Sequence, residues 1–413
     1  MTSKPIKRAL VLSGGGARGA YEAGVLRYIL RVLPDSLPAP PRFDIICGAS
    51  VGAINAAWLA ATINDPRRSA NQLDYLWRSL VFSEVVKFSY REVWRIFRRS
   101  LLEDRLTLPR RPSNSNSREG GFLKTSFFDN FLRQQIPFAT ISENLAAGYF
   151  EAVSVTATDI ITGRTTAFVQ SKSPLPPWTR DARRIAVAGP ITLEKVLGSA
   201  AIPLLFPSVK IDNHWYSDGG LRQNTPISPA LRLGADRVLV VALKSRSFEE
   251  RIAPLPETTP HEAHPNQAFI LGKVLDALLL DPLDYDLSVL ERLNAILEYG
   301  EEAFGEGIFV ERLNKVIRAH RGQGYRYVHQ VLIRPSKDLG EVAAEFAQEK
   351  PPHFWGSFPL RMLAERALEA QGARESDFLS YVLFDGGYAG QLVDLGYRDA
   401  TARHDELVEF FSP

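Results

Sequence analysis

Two short, largely apolar segments, each followed by a glycine-rich turn and then a helical pattern, constrain the fold of this chain most. The first covers residues 9–12 and precedes the turn at 13–16, and the second covers 43–47 and precedes the turn at 48–52. Strands covered on both faces are apolar along their length, and strands that alternate with helices form parallel sheets. The pattern predicts a three-layer α/β/α fold with a mostly parallel central sheet.

Further along the chain, apolar segments on either side of turn residues predict antiparallel hairpins. One hairpin turns at Thr162-Gly163 and the other at Asn213-His214. Two more apolar runs, 238–243 and 328–333, have the length and composition of buried strands. The sheet is therefore expected to extend well beyond the first two strands.

The composition excludes several classes of protein. The 413 residues are 45% hydrophobic and 23% charged, which is typical of a soluble globular protein rather than a disordered one. The net charge of +2 does not indicate nucleic-acid binding. The single cysteine, Cys47, excludes an intramolecular disulfide and is predicted to lie in the core. No signal peptide or transmembrane segment is recognised, so a cytoplasmic protein, with or without peripheral membrane contact, is expected.

The sequence Gly48-Ala49-Ser50-Val51-Gly52 has the G-x-S-x-G pattern of a serine nucleophile. Such a serine stands on a sharp turn between a strand and a helix, where small neighbours let the chain turn and the substrate approach. An apolar segment precedes this turn and an alanine-rich helical segment follows it. The context therefore favours a nucleophile at Ser50 over a chance match.

The glycine-rich run at residues 14–19 predicts a second functional element. Glycines ahead of a helix let several backbone N–H groups point to one anion, which is either a phosphate or the oxyanion of a reaction intermediate. The phosphate-loop interpretation is weak because no Gly-Lys-Ser/Thr follows. The dinucleotide interpretation is weak because Gly48 and Ser50 stand where an acidic residue is needed.

Asp218 is the best candidate for a general base. It ends a predicted hairpin, is followed by Gly219-Gly220 and precedes a helix start at 224–226. None of the seven histidines has a comparable setting, and a carboxylate can act as the base directly. Asp385-Gly386-Gly387 repeats the triplet, but no predicted strand or hairpin precedes it, so it is expected to take no part.

The order and spacing of the motifs at 14–19, 48–52 and 218–220 resemble the patatin-like phospholipase family. The resemblance is strongest over residues 7–243 and continues weakly to 336. It implies a patatin-like α/β hydrolase domain over residues 1–336. Residues 337–413 are then expected to form a helical C-terminal extension packed on the core.

The resemblance also implies roles for individual residues. Ser50 would be the acyl nucleophile and Asp218 its general base, with no metal and no other cofactor. The implied oxyanion hole comprises Gly14, Gly15, Gly16, Ala17 and Arg18, and the supporting glycines are Gly48, Gly52, Gly219 and Gly220. The implied reaction is hydrolysis of an acyl ester in a phospholipid or lysophospholipid. Two alternatives stay open: another serine esterase (a neutral-lipid lipase or thioesterase), or a non-catalytic lipid-binding or scaffold protein.

Residues 84–111 contain eight lysines and arginines against four acids, with Phe88, Trp94 and Phe97 among them. A basic, aromatic amphipathic helix can lie on an anionic membrane. A helix packed on the core with a solvated charged face has the same composition, and this interpretation is favoured over a membrane-bound helix. Since the segment follows the Ser50 motif, the region 84–125 is interpreted as a lid or a membrane contact.

Overall fold

A computed structural model of the chain describes residues 5–80, 87–88, 123–124, 126–175, 178, 183–203, 205–245, 283–321, 324–350 and 376–413. The strands within these ranges are β1 (Arg8–Leu12), β2 (Ile45–Ala49), β3 (Lys87–Phe88), β4 (Leu123–Lys124), β5 (Ala152–Asp159), β6 (Thr165–Ser171), β7 (Arg184–Ala188), β8 (Val209–Ile211), β9 (His214–Ser217), β10 (Arg237–Val241) and β11 (His329–Ile333). All but β3 and β4, which pair with each other, belong to one sheet.

The main path of this sheet has the order β11-β10-β1-β2-β5-β6-β7. The five strands from β11 to β5 are mutually parallel, and β6 is antiparallel to β5. The β8–β9 hairpin joins the sheet through β9, which pairs antiparallel with the end of β5. The predicted mostly parallel sheet and both predicted hairpins are therefore confirmed.

Helices cover both faces of the sheet. They are α1 (Ala20–Arg31), α2 (Val51–Thr62), α3 (Pro66–Arg78), α4 (Ser126–Gln135), α5 (Phe138–Ala147), α6 (Leu193–Ser199), α7 (Gly220–Gln223), α8 (Ile227–Arg232), α9 (Leu283–Phe304), α10 (Ile308–Arg321), α11 (Leu339–Glu349), α12 (Ser376–Val382), α13 (Gly386–Thr401) and α14 (His404–Phe411). A large apolar cluster lies on one face of the sheet and a smaller one, which contains Cys47, on the other. This arrangement is the predicted three-layer architecture.

Helix α13 packs closely against α1. A Cβ atom at Gly24 of α1 would collide with the carbonyl oxygen of Val393, and one at Gly396 of α13 with that of Tyr21. The Tyr21 hydroxyl also donates a hydrogen bond to Asp399, at 2.9 Å. Since α1 follows the glycine-rich run directly, this contact connects the C-terminal helices to that run. The boundary at residue 336 stays a prediction.

The end of α14 is held by two arginines of the sheet. Arg8 of β1 donates from Nε to the carbonyl oxygen of Phe410, at 3.0 Å. Arg237 of β10 donates from Nη1 to the same oxygen, at 2.8 Å, and to that of Ser412, at 2.6 Å. Helix ends carry carbonyl groups without partners in the helix, and cations there are stabilising.

Most of the basic segment 84–111 and of the region 84–125 lies outside the described residues, so its interpretation as lid or membrane contact stays a prediction. Within the described part of the chain, no helix combines the length and apolar character needed to cross a bilayer.

Candidate active site

Ser50 stands on a strained turn between β2 and α2. Its backbone has a φ of 52° and a ψ of −125°, a conformation that residues with a side chain rarely adopt. A Cβ at Gly48 would collide with the carbonyl oxygen of Gly52, and one at Gly52 with that of Leu12. The motif glycines are therefore required by close backbone contacts, and they bring Ser50 to the start of α2.

The structure brings Ser50 and Asp218 together. Asp218 follows β9 directly, and its Oδ2 accepts a hydrogen bond from Ser50 Oγ at 2.6 Å. Its Oδ1 accepts one from the backbone N–H of Gly220, at 2.7 Å. A side chain at Gly219 would collide with the carbonyl oxygen of Thr156. The Asp-Gly-Gly triplet thus fixes the carboxylate against the serine.

Burial determines the electrostatic environment of Asp218. The residue is fully buried, and this desolvation raises its pKa from the ordinary 3.8 to about 7. The hydrogen bonds from Ser50 and Gly220 favour the charged form and oppose part of the shift. A carboxyl group with a pKa close to neutral pH can accept a proton and return it.

Ser199 is a site residue whose role the sequence analysis did not assign. Its Oγ accepts a hydrogen bond from the backbone N–H of Ser50, at 2.9 Å, and donates one to the carbonyl oxygen of Thr156, at 2.6 Å. The Thr158 hydroxyl donates to the carbonyl oxygen of Asp218, at 2.9 Å. These polar side chains connect the serine turn and the Asp218 turn through β5. The only sequence signal was the position of Ser199 in a segment that resembles the family.

The glycine-rich run borders the serine, but two of its backbone N–H groups already donate to carbonyl oxygens of the chain. The N–H of Gly14 donates to the carbonyl oxygen of Asn224, at 3.0 Å, and the N–H of Arg18 to that of Gly15, at 3.2 Å. Asn224 Nδ2 donates to the carbonyl oxygen of Gly14, at 3.0 Å. Of the five predicted oxyanion-hole residues, the candidate amide donors are therefore reduced to Gly15, Gly16 and Ala17.

The C-terminal part of the chain holds this run. The buried Arg18 side chain donates from Nε to Ser380 Oγ, at 2.7 Å, and its guanidinium lies 3.9 Å from the centre of the Tyr381 ring. Gly16 has a φ of +57°, and a Cβ there would collide with the carbonyl oxygen of Tyr381. No local sequence signal predicted this contact, because Arg18 and Ser380 are 362 positions apart.

The second Asp-Gly-Gly triplet has a structural role. Asp385 is the N-cap of α13, and its Oδ1 accepts hydrogen bonds from the backbone N–H groups of Gly387, at 2.8 Å, and Tyr388, at 3.4 Å.

His214 lies on the exposed hairpin with Nδ1 2.8 Å from Asp159. Among the residues that the structure describes, no group of three or more potential metal ligands was found.

An apolar pocket that is partly open to solvent begins at Ser50 and Gly16. It extends between α2, α3 and α4. The side chains that line it include Val51, Ile54, Trp58, Leu73, Leu76, Trp77, Phe128, Phe131, Leu132, Ile136, Ile202, Phe206 and Phe384. Its apolar lining is suited to a flexible hydrocarbon chain whose reactive end lies at the serine.

The fold and the Ser50–Asp218 site define a serine-centred α/β protein, and comparison with known families specifies which one. The family described as patatin-like phospholipase matches residues 10–231, which is more than half of the chain. The chain belongs to the patatin-like phospholipase family, as the motifs predicted.

Three relatives are similar to this chain over part of its length. A cGAMP-activated phospholipase of Pseudomonas aeruginosa is 31% identical over 226 residues, 55% of this chain and 56% of that protein. A cGAMP-activated phospholipase of Escherichia coli is 28% identical over 231 residues, 54% of each chain. A cUMP-AMP-activated phospholipase of Escherichia coli is 49% identical over 55 residues, 13% of this chain and 17% of that protein. The chain thus spans about half the length of the two cGAMP-activated phospholipases and a smaller share of the cUMP-AMP-activated one.

Proposed function

We propose that this chain is a lipid acyl hydrolase of the phospholipase A or lysophospholipase type, which cleaves carboxylic esters through an acyl-enzyme on Ser50. The observation that carries the proposal is the 2.6 Å hydrogen bond from Ser50 Oγ to Asp218 at the start of an apolar pocket. Family membership supports a lipid substrate.

In the proposed reaction, ionised Asp218 takes the proton of Ser50 while Oγ forms a bond to the ester carbonyl carbon. The displaced electron pair moves to the carbonyl oxygen, where the amides of Gly15, Gly16 and Ala17 and the N-terminus of α2 stabilise the negative charge. The intermediate expels the alcohol, which takes the proton from Asp218. Water then attacks the acyl-enzyme and gives its proton to Asp218, and the fatty acid leaves as Ser50 regains its proton.

The apolar pocket gives the reaction its preference for acyl chains. Each methylene group that moves from water into such a lining contributes about 0.8 kcal/mol of transfer free energy. Trp58, Trp77 and Phe384 supply large apolar surfaces in this pocket. We therefore expect long-chain esters to be preferred over short-chain esters with the same alcohol.

The test is fatty-acid release from mixed phospholipid vesicles by the wild type, Ser50→Ala and Asp218→Asn. Asp385→Asn is the matched control, because it changes the other Asp-Gly-Gly triplet. Release that the two site variants lose and the control keeps would support the proposal, whereas activity in Asp218→Asn would remove Asp218 as the base. Triacylglycerol and acyl-CoA substrates, assayed in parallel, test the lipase and thioesterase alternatives.

The three relatives are named as phospholipases that cyclic dinucleotides activate. We extend this regulation to the chain as part of the proposal, and the assay is therefore run with and without cGAMP and cUMP-AMP. A rise in the rate with either nucleotide would support it, and equal rates in all samples would contradict it. If no condition gives release, labelling of Ser50 by a fluorophosphonate distinguishes a competent serine with another substrate from a non-catalytic protein.

A further inference from the structure

Two adjacent hairpin turns expose large apolar side chains to solvent. The first turn follows β5 and carries Ile160 and Ile161, which are 46% and 77% exposed. The second joins β8 to β9 and leads into Trp215, which is 46% exposed. The backbone N–H of Ile160 donates to the carbonyl oxygen of Trp215, at 2.9 Å, so the two turns lie side by side. Residues 160–163 and 212–215 are called the turn surface here.

The turn surface lies at the edge of the sheet that carries the candidate active site. Thr156 of β5 is paired with Ala49, the residue before Ser50. Ile160 is four residues further along the same direction, which corresponds to about 13 Å of extended strand. On the other hairpin, β9 runs from Trp215 directly to Asp218. The exposed apolar side chains therefore lie beyond Ser50, at the ends of β5 and β9. These are the strands that position Asp218.

Hydrogen bonds hold both turns in place. The buried Asp159 carboxylate accepts from the backbone N–H groups of Ile161, at 2.9 Å, and Thr162, at 3.0 Å. Its other oxygen lies 2.8 Å from His214 Nδ1, across the two turns. The exposed side chains are thus displayed on a preformed support. Exposed apolar groups on a fixed surface next to a site are typical of an interaction surface.

The charges around the turn surface are mainly positive. Arg164, Lys210 and Arg222 are all exposed, and Lys210 is the cross-strand partner of Trp215. Arg222 reaches the first turn, since a Cβ at Gly163 would lie 3.2 Å from its Nη2. Asp212 is an exposed acid within the second turn. Apolar side chains bordered by cations match a bilayer that contains anionic phospholipid.

We propose that the turn surface docks on an anionic phospholipid bilayer, with Ile161 and Trp215 inserted among the lipids and Arg164 and Arg222 at the headgroups. Its role in catalysis, which is to bring the active-site edge to the substrate, rests on the proposed function. The docking itself does not, because the binding experiment needs no turnover.

The binding test is co-sedimentation with phosphatidylcholine vesicles that contain or lack phosphatidylglycerol. The double variant Ile161→Ser/Trp215→Ser is compared with Tyr299→Ser, which removes a 68% exposed aromatic side chain from α9. We expect the double variant to lose about tenfold or more in vesicle affinity, because it lacks the two apolar side chains that the bilayer would bury. The control is expected to bind like the wild type. Equal binding by the double variant and the wild type would overturn the proposal.

Two further measurements separate this surface from the active site. Arg164→Gln/Arg222→Gln is expected to reduce the preference for anionic vesicles, and an unchanged preference would contradict the proposed role of the arginines. On a water-soluble short-chain ester, the Ile161→Ser/Trp215→Ser variant is expected to keep the wild-type rate while its rate on vesicles falls. If the wild type hydrolyses neither substrate with or without cGAMP and cUMP-AMP, the proposed function fails, and the vesicle-binding result still decides whether the turn surface docks.

Discussion

The guanidinium of Arg18 stacks on the ring of Tyr381 at 3.9 Å, and this contact joins the glycine-rich run to a helix near the other end of the sequence. Tyr381 lies outside the region that the family matches, 10–231. The hydrogen bond from Arg18 Nε to Ser380 completes the attachment. The candidate oxyanion hole therefore depends on a part of the chain that the family motifs do not include.

Arg18→Lys should lower kcat for ester hydrolysis by about tenfold or more with little change in KM. Lysine lacks the planar group that stacks on Tyr381 and donates to Ser380, so the oxyanion amides lose their support, whereas the apolar pocket is untouched. Arg27→Lys is the control, because Arg27 of α1 lies over Tyr397 at 5.4 Å and pairs with Asp74 of α3. Equal kcat values for the two variants would contradict this positioning role.

Gly16→Ala should cost more stability than Gly307→Ala. Both glycines have a positive φ, 57° and 76°, at which alanine is strained by about 1–2 kcal/mol. Nothing lies within 4 Å of a Cβ at Gly307, whereas a Cβ at Gly16 would collide with the Tyr381 backbone. Urea unfolding of both variants measures the difference, and equal losses would show that the Tyr381 contact is unimportant.

The kcat/KM of ester hydrolysis should increase with pH and level off above about pH 7. The base must be ionised, and burial raises the pKa of Asp218 to about 7. Below that value, the ionised fraction falls about tenfold per pH unit, and the rate should follow it. A profile on a water-soluble ester between pH 5 and 9 tests this, and a flat profile would contradict Asp218 as the base.

Asp218→Asn should be more stable, relative to the wild type, at pH 8 than at pH 4. The folded-state pKa of Asp218, about 7, lies above the ordinary 3.8, so the folded protein binds more protons than the unfolded one between these values. The stability of the wild type then falls as the pH rises through this window, by at most about 1.4 kcal/mol per pH unit. Asparagine does not titrate. The Tm of the variant minus the Tm of the wild type should therefore increase as the pH rises across the window. A constant difference would contradict the raised pKa.

Ser50→Gly should unfold at higher urea concentration than Ser50→Ala, although neither variant has the nucleophile. The φ of 52° strains alanine but not glycine, and this difference is about 1 kcal/mol after the greater flexibility of unfolded glycine is subtracted. If Ser50→Ala is as stable as Ser50→Gly, the serine turn is not strained in solution.

Local sequence patterns predicted the elements that generate the site. The strand, turn and helix around Ser50 form within twenty residues, and the hairpin that ends at Asp218 is similarly local, so composition and spacing were sufficient. The support of Arg18 by Ser380 and Tyr381 could not be predicted, because nothing in the neighbouring sequence specifies a partner 362 positions away. Ser199 was missed for a related reason, since a serine at a helix end has many ordinary roles and its bond to Ser50 is a tertiary contact.

The contact between Gly16 and Tyr381 can form only after most of the chain has been synthesised. A ribosome that has translated as far as the last strand of the sheet has delivered Ser50 and Asp218, but not the helix against which the glycine-rich run rests. At that stage, Arg8 of β1 and Arg237 of β10 lack their acceptor, the carbonyl oxygen of Phe410. The order of synthesis therefore delivers the nucleophile and base of the proposed reaction before the helix that supports the candidate oxyanion hole.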